Sequence, residues 1–313
     1  MSVKKVIITT TTHPVLQNTL ERNGWHVTIR PKISYDELKQ LVGEYEGLIV
    51  ATSIGVDRSL LDAAVNLKWV GRLGSGMELI DTEYAATKNI SCYSSPEGNR
   101  DAVAEHALGM LLNQLHHISN AWEQVKQGIW KREANRGLEL RGKTIGLIGY
   151  GNTGMSFAAL LRGFGVEILV YDKYKTNFSE GPVIESDLNT IMERSDVISF
   201  HVPLTEETFH MGGTEFFNSL KKKPIILNTS RGSVVDTEAL LMALEKGQIR
   251  SASLDVLENE SIEALSGWEK SLFKRLVAHP DVLITPHIAG YSQESFYKLS
   301  RFLLEKLGFE AVG

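Results

Sequence analysis

A chain of 313 residues with 42% hydrophobic and 23% charged side chains is long enough for two globular domains and too apolar to be disordered. Its net charge of −5, with lysines and arginines dispersed apart from Lys221-Lys222-Lys223, gives no support to nucleic-acid binding, and that triplet reads as a helix end before the next strand. The single cysteine, Cys92, excludes an internal disulfide and points to a reducing compartment, the cytoplasm. Within Asn89-Ile-Ser-Cys-Tyr it reads as a buried, inert thiol on a strand. Met1-Ser-Val-Lys-Lys-Val-Ile-Ile enters an apolar strand at once, without the long apolar core of a signal peptide. No run approaches the roughly 18 apolar residues of a membrane span.

Short apolar runs alternate with helical patterns throughout, the mark of an α/β fold with parallel strands. The first part predicts strands at Lys5 to Thr9, His26 to Arg30, Gly47 to Ala51, Trp69 to Leu73 and Ile90 to Tyr93. Helices lie between them. One opens at Ser34-Tyr-Asp-Glu37, a capping-box signature, and another at Asp57-Arg-Ser-Leu-Leu. This is a small flavodoxin-like or Rossmann-like domain over residues 1–97. Ser94-Ser-Pro96-Glu-Gly98-Asn then breaks the pattern. A long helical stretch without internal proline follows, from Asn99 to Lys126, and reads as a bridge between two domains or as one long core helix.

Residues 98–288 form a second α/β block. Beyond Arg141-Gly-Lys-Thr144, strands are predicted at Asp196 to Phe200, Pro224 to Asn228, Ser251 to Leu254 and Val282 to Ile284. Helices fall at Gly154 to Phe164, Ser186 to Arg194, Thr214 to Leu220 and Thr237 to Lys246. The tail, 289–313, reads as one helix over Tyr291 to Leu307 that returns to the first domain. The fold class is therefore two doubly wound parallel-sheet domains, of Rossmann or flavodoxin type.

The second block opens with Thr144-Ile-Gly-Leu-Ile-Gly149-Tyr-Gly151-Asn-Thr-Gly154, and Glu167-Ile-Leu-Val-Tyr171 follows, ending at Asp172. Strand, G-x-G-x-x-G, helix, second strand and terminal acid make the layout of a dinucleotide-binding βαβ unit. Gly149 allows the tight turn, Gly151 lets backbone approach a pyrophosphate, and Gly154 lets the helix pack close. The helix N-terminus offers N–H groups and a positive dipole end to phosphates. Asp172 is placed to accept hydrogen bonds from ribose hydroxyls, and it repels a ribose 2′-phosphate. Like charges about 4 Å apart cost roughly 4 kcal/mol at an effective dielectric near 20. Lys173 and Lys175 stand close enough to soften that, so NAD is favoured over NADP without NADP being excluded.

Three further polar residues follow predicted strands, where open α/β sheets bind ligands: Arg231, Glu260 and His287. An imidazole beside a carboxylate holds its proton to higher pH. A guanidinium fork grips a carboxylate and a carbonyl. With a nicotinamide nearby, the set suits hydride transfer between a 2-hydroxy acid and its 2-oxo acid. Singly, each also fits a solvated surface residue, and nothing local singles out His106, His116, His117 or His279. No metal site is expected.

Together with these stretches, Val70-Gly-Arg-Leu-Gly-Ser-Gly-Met-Glu-Leu-Ile-Asp81, Asp101-Ala-Val-Ala-Glu-His-Ala-Leu-Gly109, His201-Val-Pro-Leu-Thr205, Asn228-Thr-Ser-Arg-Gly-Ser-Val-Val-Asp236, Leu254-Asp-Val-Leu-Glu-Asn-Glu260 and Thr285-Pro-His287 resemble the D-isomer-specific 2-hydroxyacid dehydrogenases over nearly the whole chain. Within them the chain looks most like the short D-3-phosphoglycerate dehydrogenases of L-serine biosynthesis. The resemblance implies that Arg231 binds the substrate carboxylate, that His287 is the general acid/base and that Glu260 keeps it charged. It places Ser75 and Gly76 on the substrate carboxylate. Asn152 and Thr153 join the three glycines at the pyrophosphate. His201, Pro203, Thr208, Thr229, Asp255 and Gly290 line the cofactor site. It also implies a cleft between the two domains, NAD as cofactor, a small-molecule 2-hydroxy or 2-oxo acid as substrate, and a homodimer formed through the NAD domain. Neither nucleic acid nor membrane is a partner.

Two departures bear on this reading. Glu260 is followed by Ser261 where relatives usually have proline, and the segment from Ser261 to Pro280 is somewhat long. The arginine that usually follows the third strand and helps hold a phosphate is absent, Ala51-Thr-Ser-Ile-Gly55 standing there instead. Ser53 and neighbouring amides remain as donors, and Arg132 matches a basic position contributed across the dimer. Phosphoglycerate, glyoxylate, hydroxypyruvate and other 2-oxo acids thus stay open as substrates. The chain ending at Gly313 leaves no room for a regulatory domain. An NAD(H)-sensing corepressor-like scaffold is the alternative of another class, disfavoured by the missing extended tail. A formate dehydrogenase is disfavoured by the carboxylate at Glu260.

Overall fold

A computed structural model describes residues 3–311; Met1, Ser2, Val312 and Gly313, the extremities of the first and last expected segments, lie outside it. The chain forms two compact units, Met1–Arg100 with Tyr291–Gly313, and Asp101–Gly290.

The first unit is built on a sheet of β1 (Lys4–Ile8), β2 (Trp25–Ile29), β3 (Gly47–Val50), β4 (Trp69–Arg72) and β5 (Ser91–Ser94). All neighbours pair in parallel, in the order β2-β1-β3-β4-β5. Val6 to Ile8 and Gly47 to Val50 are buried, as a sheet covered on both faces requires. Four of the five expected strands end one residue late, three of them at Thr9, Arg30 and Leu73, which each still donate a backbone hydrogen bond to a neighbouring strand; the fifth, expected over Ile90 to Tyr93, lies one residue early. The helix Gln293–Lys306 belongs to this unit. Its Leu303 and Leu304 are fully buried in a cluster with Val6, Ile8, Leu16 and Leu20, and Lys306 ties its last turn to Glu97 at 2.9 Å. Cys92 is half-buried rather than buried, since β5 is an edge strand, and its partial burial raises the thiol above its ordinary range.

The second unit holds β6 (Thr144–Ile148), β7 (Glu167–Tyr171), β8 (Val183–Glu185), β9 (Val197–Phe200), β10 (Ile225–Asn228), β11 (Ser251–Leu254) and β12 (Val282–Ile284). They form one parallel sheet ordered β12-β11-β10-β9-β6-β7-β8. The order reverses between β6 and β9, which marks the ligand crevice of a doubly wound sheet. Two elements escape the sequence pattern: β8, only three residues long, and the helix Gly267–Ala278 in the long segment after Glu260.

The expected continuous helix over 99–126 is two helices, Arg100–His116 and Ile118–Lys126. His117 between them is left-handed at φ +53°, and the Asn113 side chain accepts from Ser119 N and Oγ, both at 2.8 Å. An asparagine cap thus restarts the helix where no proline or glycine signals a break. The first helix is a core helix of this unit: Ala104, Ala107, Leu111 and Leu115 pack in one cluster with Ile145, Leu147 and Phe157. No helix among the described residues is long and apolar enough to cross a membrane.

Because the return helix completes the first unit's core, Leu304→Ala is expected to cost about 2–5 kcal/mol of stability, as truncation of a fully buried leucine does. Urea denaturation followed by tryptophan fluorescence checks this.

Candidate active site

β6 leads into a turn in which Gly149 and Gly154 are required by geometry. Gly149 sits at φ +100°, and a Cβ there would lie 2.5 Å from the His201 carbonyl oxygen at the end of β9. On Gly154 a Cβ would fall 2.3 Å from the Gly149 oxygen, so only glycine lets the helix Asn152–Leu161 seat against the turn. At Gly151 a Cβ would meet nothing within 4 Å, which leaves open space beside the helix N-terminus. Gly151 is the N-cap and has no side chain to cap the first turn of Asn152, Thr153 and Gly154. A cradle with bare backbone, open space and a positive dipole end fits a pyrophosphate.

Asp172 follows β7 and is half-buried. It accepts from Tyr150 N at 2.8 Å, Tyr174 N at 2.9 Å and Lys175 N at 3.1 Å, so it is fixed beside the glycine turn. The two lysines after it are engaged elsewhere, Lys173 with Glu207 at 2.5 Å and Lys175 Nζ with the Tyr150 carbonyl at 2.6 Å. The side-chain amines of both lysines are thus engaged away from the Asp172 carboxylate.

His201 ends β9 with its ring in the core against Phe157 and its Nε2 2.9 Å from Ser199 Oγ. Burial pushes that imidazole down to about 4, so it is neutral. Its Nδ1 and the Thr229 Oγ1 are buried polar atoms with no hydrogen-bond partner in the protein. Pro203 and Thr208 form one turn, the Thr208 hydroxyl donating to the Pro203 carbonyl at 2.6 Å.

Arg231, Glu260 and His287 follow β10, β11 and β12, three adjacent parallel strands that present their C-terminal ends along one rim. His287 Nδ1 lies 2.9 Å from Glu260 Oε2, and the two side chains are 45% and 46% exposed, so the pair is open to a ligand. With Nδ1 turned to the carboxylate, Nε2 is left for a substrate. The Arg231 corner abuts the Glu260 loop: a Cβ on Gly232 would lie 1.9 Å from the Leu257 carbonyl oxygen.

His287 is left-handed at φ +53°, a conformation that non-glycine residues hold only when their surroundings impose it. The buried carboxylate of Asp255 imposes it here. It accepts from Thr285 Oγ1 at 2.5 Å, Ile288 N at 2.9 Å and Ala289 N at 2.8 Å, and its backbone carbonyl accepts from His287 N at 2.8 Å. His106 joins the network, with Nε2 3.0 Å from Thr285 Oγ1. No local pattern distinguishes His106 in the sequence; its partners are 179 residues away. Gly290 closes the same loop.

The remaining expected residues are distributed. Ser53 is exposed after β3, while Ser75 and Gly76 are half-buried after β4, where Ser75 Oγ donates to Asn99 Oδ1 at 3.1 Å. All three belong to the first unit. Arg132 is exposed beside a short helical turn, Glu133–Asn135. Sequence reasoning missed a second imidazole–carboxylate pair, His210 with Glu258 at 2.6 Å.

Comparison with known proteins bears on the family and the fold. Residues 108–289 match the family model described as D-isomer specific 2-hydroxyacid dehydrogenase, NAD binding domain. The chain is 36% identical to a hydroxypyruvate reductase of Thermotoga maritima, over 89% of this chain and 88% of that one. It is 34% identical to a D-3-phosphoglycerate dehydrogenase of Archaeoglobus fulgidus over 94% of this chain, which spans 55% of that longer relative. Among solved structures, D-lactate dehydrogenase from Aquifex aeolicus, complexed with NAD and lactic acid, superimposes with a TM-score of 0.84 at 28% identity, covering 97% of this chain and 94% of that one. A doubly wound sheet, a glycine turn that fits a dinucleotide and these likenesses converge on one conclusion: the chain belongs to the D-isomer-specific 2-hydroxyacid dehydrogenase family and carries its NAD-binding domain.

Proposed function

We propose that Arg231, Glu260 and His287 catalyse reversible reduction of a short 2-oxo acid to its D-2-hydroxy acid. The observation that carries this reading is the open His287–Glu260 contact at 2.9 Å on the rim shared with Arg231. The Arg231 guanidinium holds the substrate carboxylate and orients its carbonyl. His287 Nε2 gives a proton to the carbonyl oxygen in reduction and takes it back in oxidation. Glu260 keeps the ring turned toward the substrate. Gly149, Gly151, Asn152, Thr153 and Gly154 hold the pyrophosphate of NAD and Asp172 its ribose, with His201, Pro203, Thr208, Thr229, Asp255 and Gly290 around the rest. When bound, the nicotinamide supplies the hydride that adds to C2.

Ser53, Ser75 and Gly76, all in the first unit, are assigned to the substrate on the resemblance alone. The loop after β3, Ala51-Thr52-Ser53, offers two hydroxyls and no cation, which favours hydroxypyruvate or glyoxylate over a phosphorylated acid. A second reading, D-3-phosphoglycerate oxidation in serine synthesis, draws its phosphate contact from Arg132 of a second copy. The helix Ile118–Lys126 supports a homodimer: it has no buried residue, and Ile118, Trp122 and Val125 form an exposed apolar stripe at helical spacing, with Trp130 beyond it 80% exposed. A half-buried lone cysteine accords with a cytoplasmic setting.

Three outcomes follow. His287→Ala lowers kcat for NADH-dependent hydroxypyruvate reduction by about 10²–10⁴-fold while NADH affinity, read by fluorescence titration, is retained; unchanged turnover removes the assigned role. Asp172→Ser narrows the preference for NADH over NADPH by at most about a thousandfold, measured as a ratio of kcat/KM values. Trp122→Glu converts the dimer to a monomer by light scattering, and a wild-type protein already monomeric in that measurement refutes the interface.

A further inference from the structure

The residue that binds His287 sits in a loop whose two neighbouring side chains are both anchored. Glu258 lies at a bend after β11. Its Oε2 meets His210 Nε2 at 2.6 Å, and its Oε1 accepts from Thr237 N at 2.8 Å. Asn259 donates from Nδ2 to Glu269 Oε1 at 3.0 Å and accepts from Ser261 N at 3.0 Å. Glu260 is thus held from one side by the segment after β9 and from the other by the first turn of the helix Gly267–Ala278.

His210 reaches further than Glu258. Its Nδ1 is 3.7 Å from Asp236 Oδ2, and its backbone N donates to the Ser233 carbonyl at 2.8 Å. Asp236 in turn caps the helix Thr237–Glu245 through Ala239 N at 2.9 Å. Ser233 and Asp236 belong to the loop that begins at Arg231. One imidazole therefore joins three loops: its own, which carries Pro203 and Thr208, the Arg231 loop, and the Glu260 loop. His210 also holds a left-handed backbone at φ +51° and stacks on Phe209 at 4.0 Å between ring centres. Like His287, it keeps a conformation that an unconstrained histidine seldom adopts.

The far tether is built to stay ionised. Glu269 is the third residue of a capping box, accepting from Ser266 N at 2.8 Å. Hydrogen bonds from Ser266 and Asn259 hold its carboxyl down to about 2, against an ordinary 4.5. A depressed carboxyl contributes fully above its unfolded value and loses its contribution only as pH falls toward the folded one. The tether is therefore constant across the neutral range.

We infer that His210 is a positioning residue for the reaction: through Glu258 and Asp236 it fixes the loops that carry Glu260 and Arg231, while Asn259 and Glu269 hold the opposite side of Glu260. The inference rests on the catalytic roles given above. Displacing a catalytic group by about 1 Å costs about a hundredfold in rate, so a loop held at two points has a clear use.

The test compares His210→Ala with His210→Gln in the full chain. The glutamine amide keeps a donor for Glu258. Hydrogen–deuterium exchange of the amides over 257–261 is measured without cofactor, alongside NADH affinity and the kinetics of hydroxypyruvate reduction. His210→Ala should raise exchange over 257–261 and lower kcat about 10–100-fold, leaving NADH affinity within about twofold. His210→Gln should restore both. In a Glu260→Gln background, His210→Ala should cost less than it does in the wild type, the remainder acting through the Arg231 loop. Unchanged exchange, unchanged kcat, or a full additional loss in the Glu260→Gln background overturns the proposal. If His287→Ala proves active, the catalytic assignment falls by itself, and the exchange measurement still decides whether His210 holds the loop. Asn259→Ala applies the same measurements from the other side should His210→Ala fail to fold.

Discussion

The contact between His287 and Glu260 joins two loops 27 residues apart in sequence, and the surrounding structure keeps it in place. Neither loop is regular, and an irregular loop left alone samples many conformations. Parallel strands supply the first constraint, because β10, β11 and β12 all end at the same rim. The second constraint is the Asp255 carboxylate, buried and accepting a hydroxyl and two amides from the loop that carries His287. Burying an unpaired carboxylate is expensive; burying one that organises three donors turns that cost into rigidity.

The dinucleotide end of the sheet works by the opposite means. There the protein withholds side chains. Gly149 and Gly154 exist because a methyl group at either position would strike backbone, and Gly151 leaves a gap. On the proposed reading, one end of the rim presents bare backbone to phosphate and the other presents charged side chains to a small acid. In the proposed site Asp172 sets the boundary on the cofactor, since the lysines that follow it are committed to Glu207 and to the Tyr150 carbonyl.

Much of this is written in local sequence. Alternating apolar runs locate the strands to within about a residue, because a strand buried on both faces must be continuously apolar. The glycine turn is legible because Gly149 and Gly154 each answer a local steric demand, and Asp172 because it directly follows the next strand. What escapes the sequence is what depends on distant partners. The break at His117 is made by Asn113, an ordinary residue within a helical pattern. β8 is too short for its period to register. His106 and His210 look like any surface histidine until the fold brings Thr285 or Glu258 to them. The turn at Ser261 becomes clear only once its N–H is seen to donate to Asn259, which is itself held by Glu269.

The central claim is that His287 and Glu260 act as one unit. A double-mutant cycle on kcat for NADH-dependent reduction of hydroxypyruvate, using His287→Ala, Glu260→Gln and the double variant, tests it most directly. Residues that act as a unit give strongly non-additive losses. The account predicts that the double variant is no slower than His287→Ala alone, within about twofold. Losses that simply multiply would show that the carboxylate and the imidazole work independently, and would contradict it.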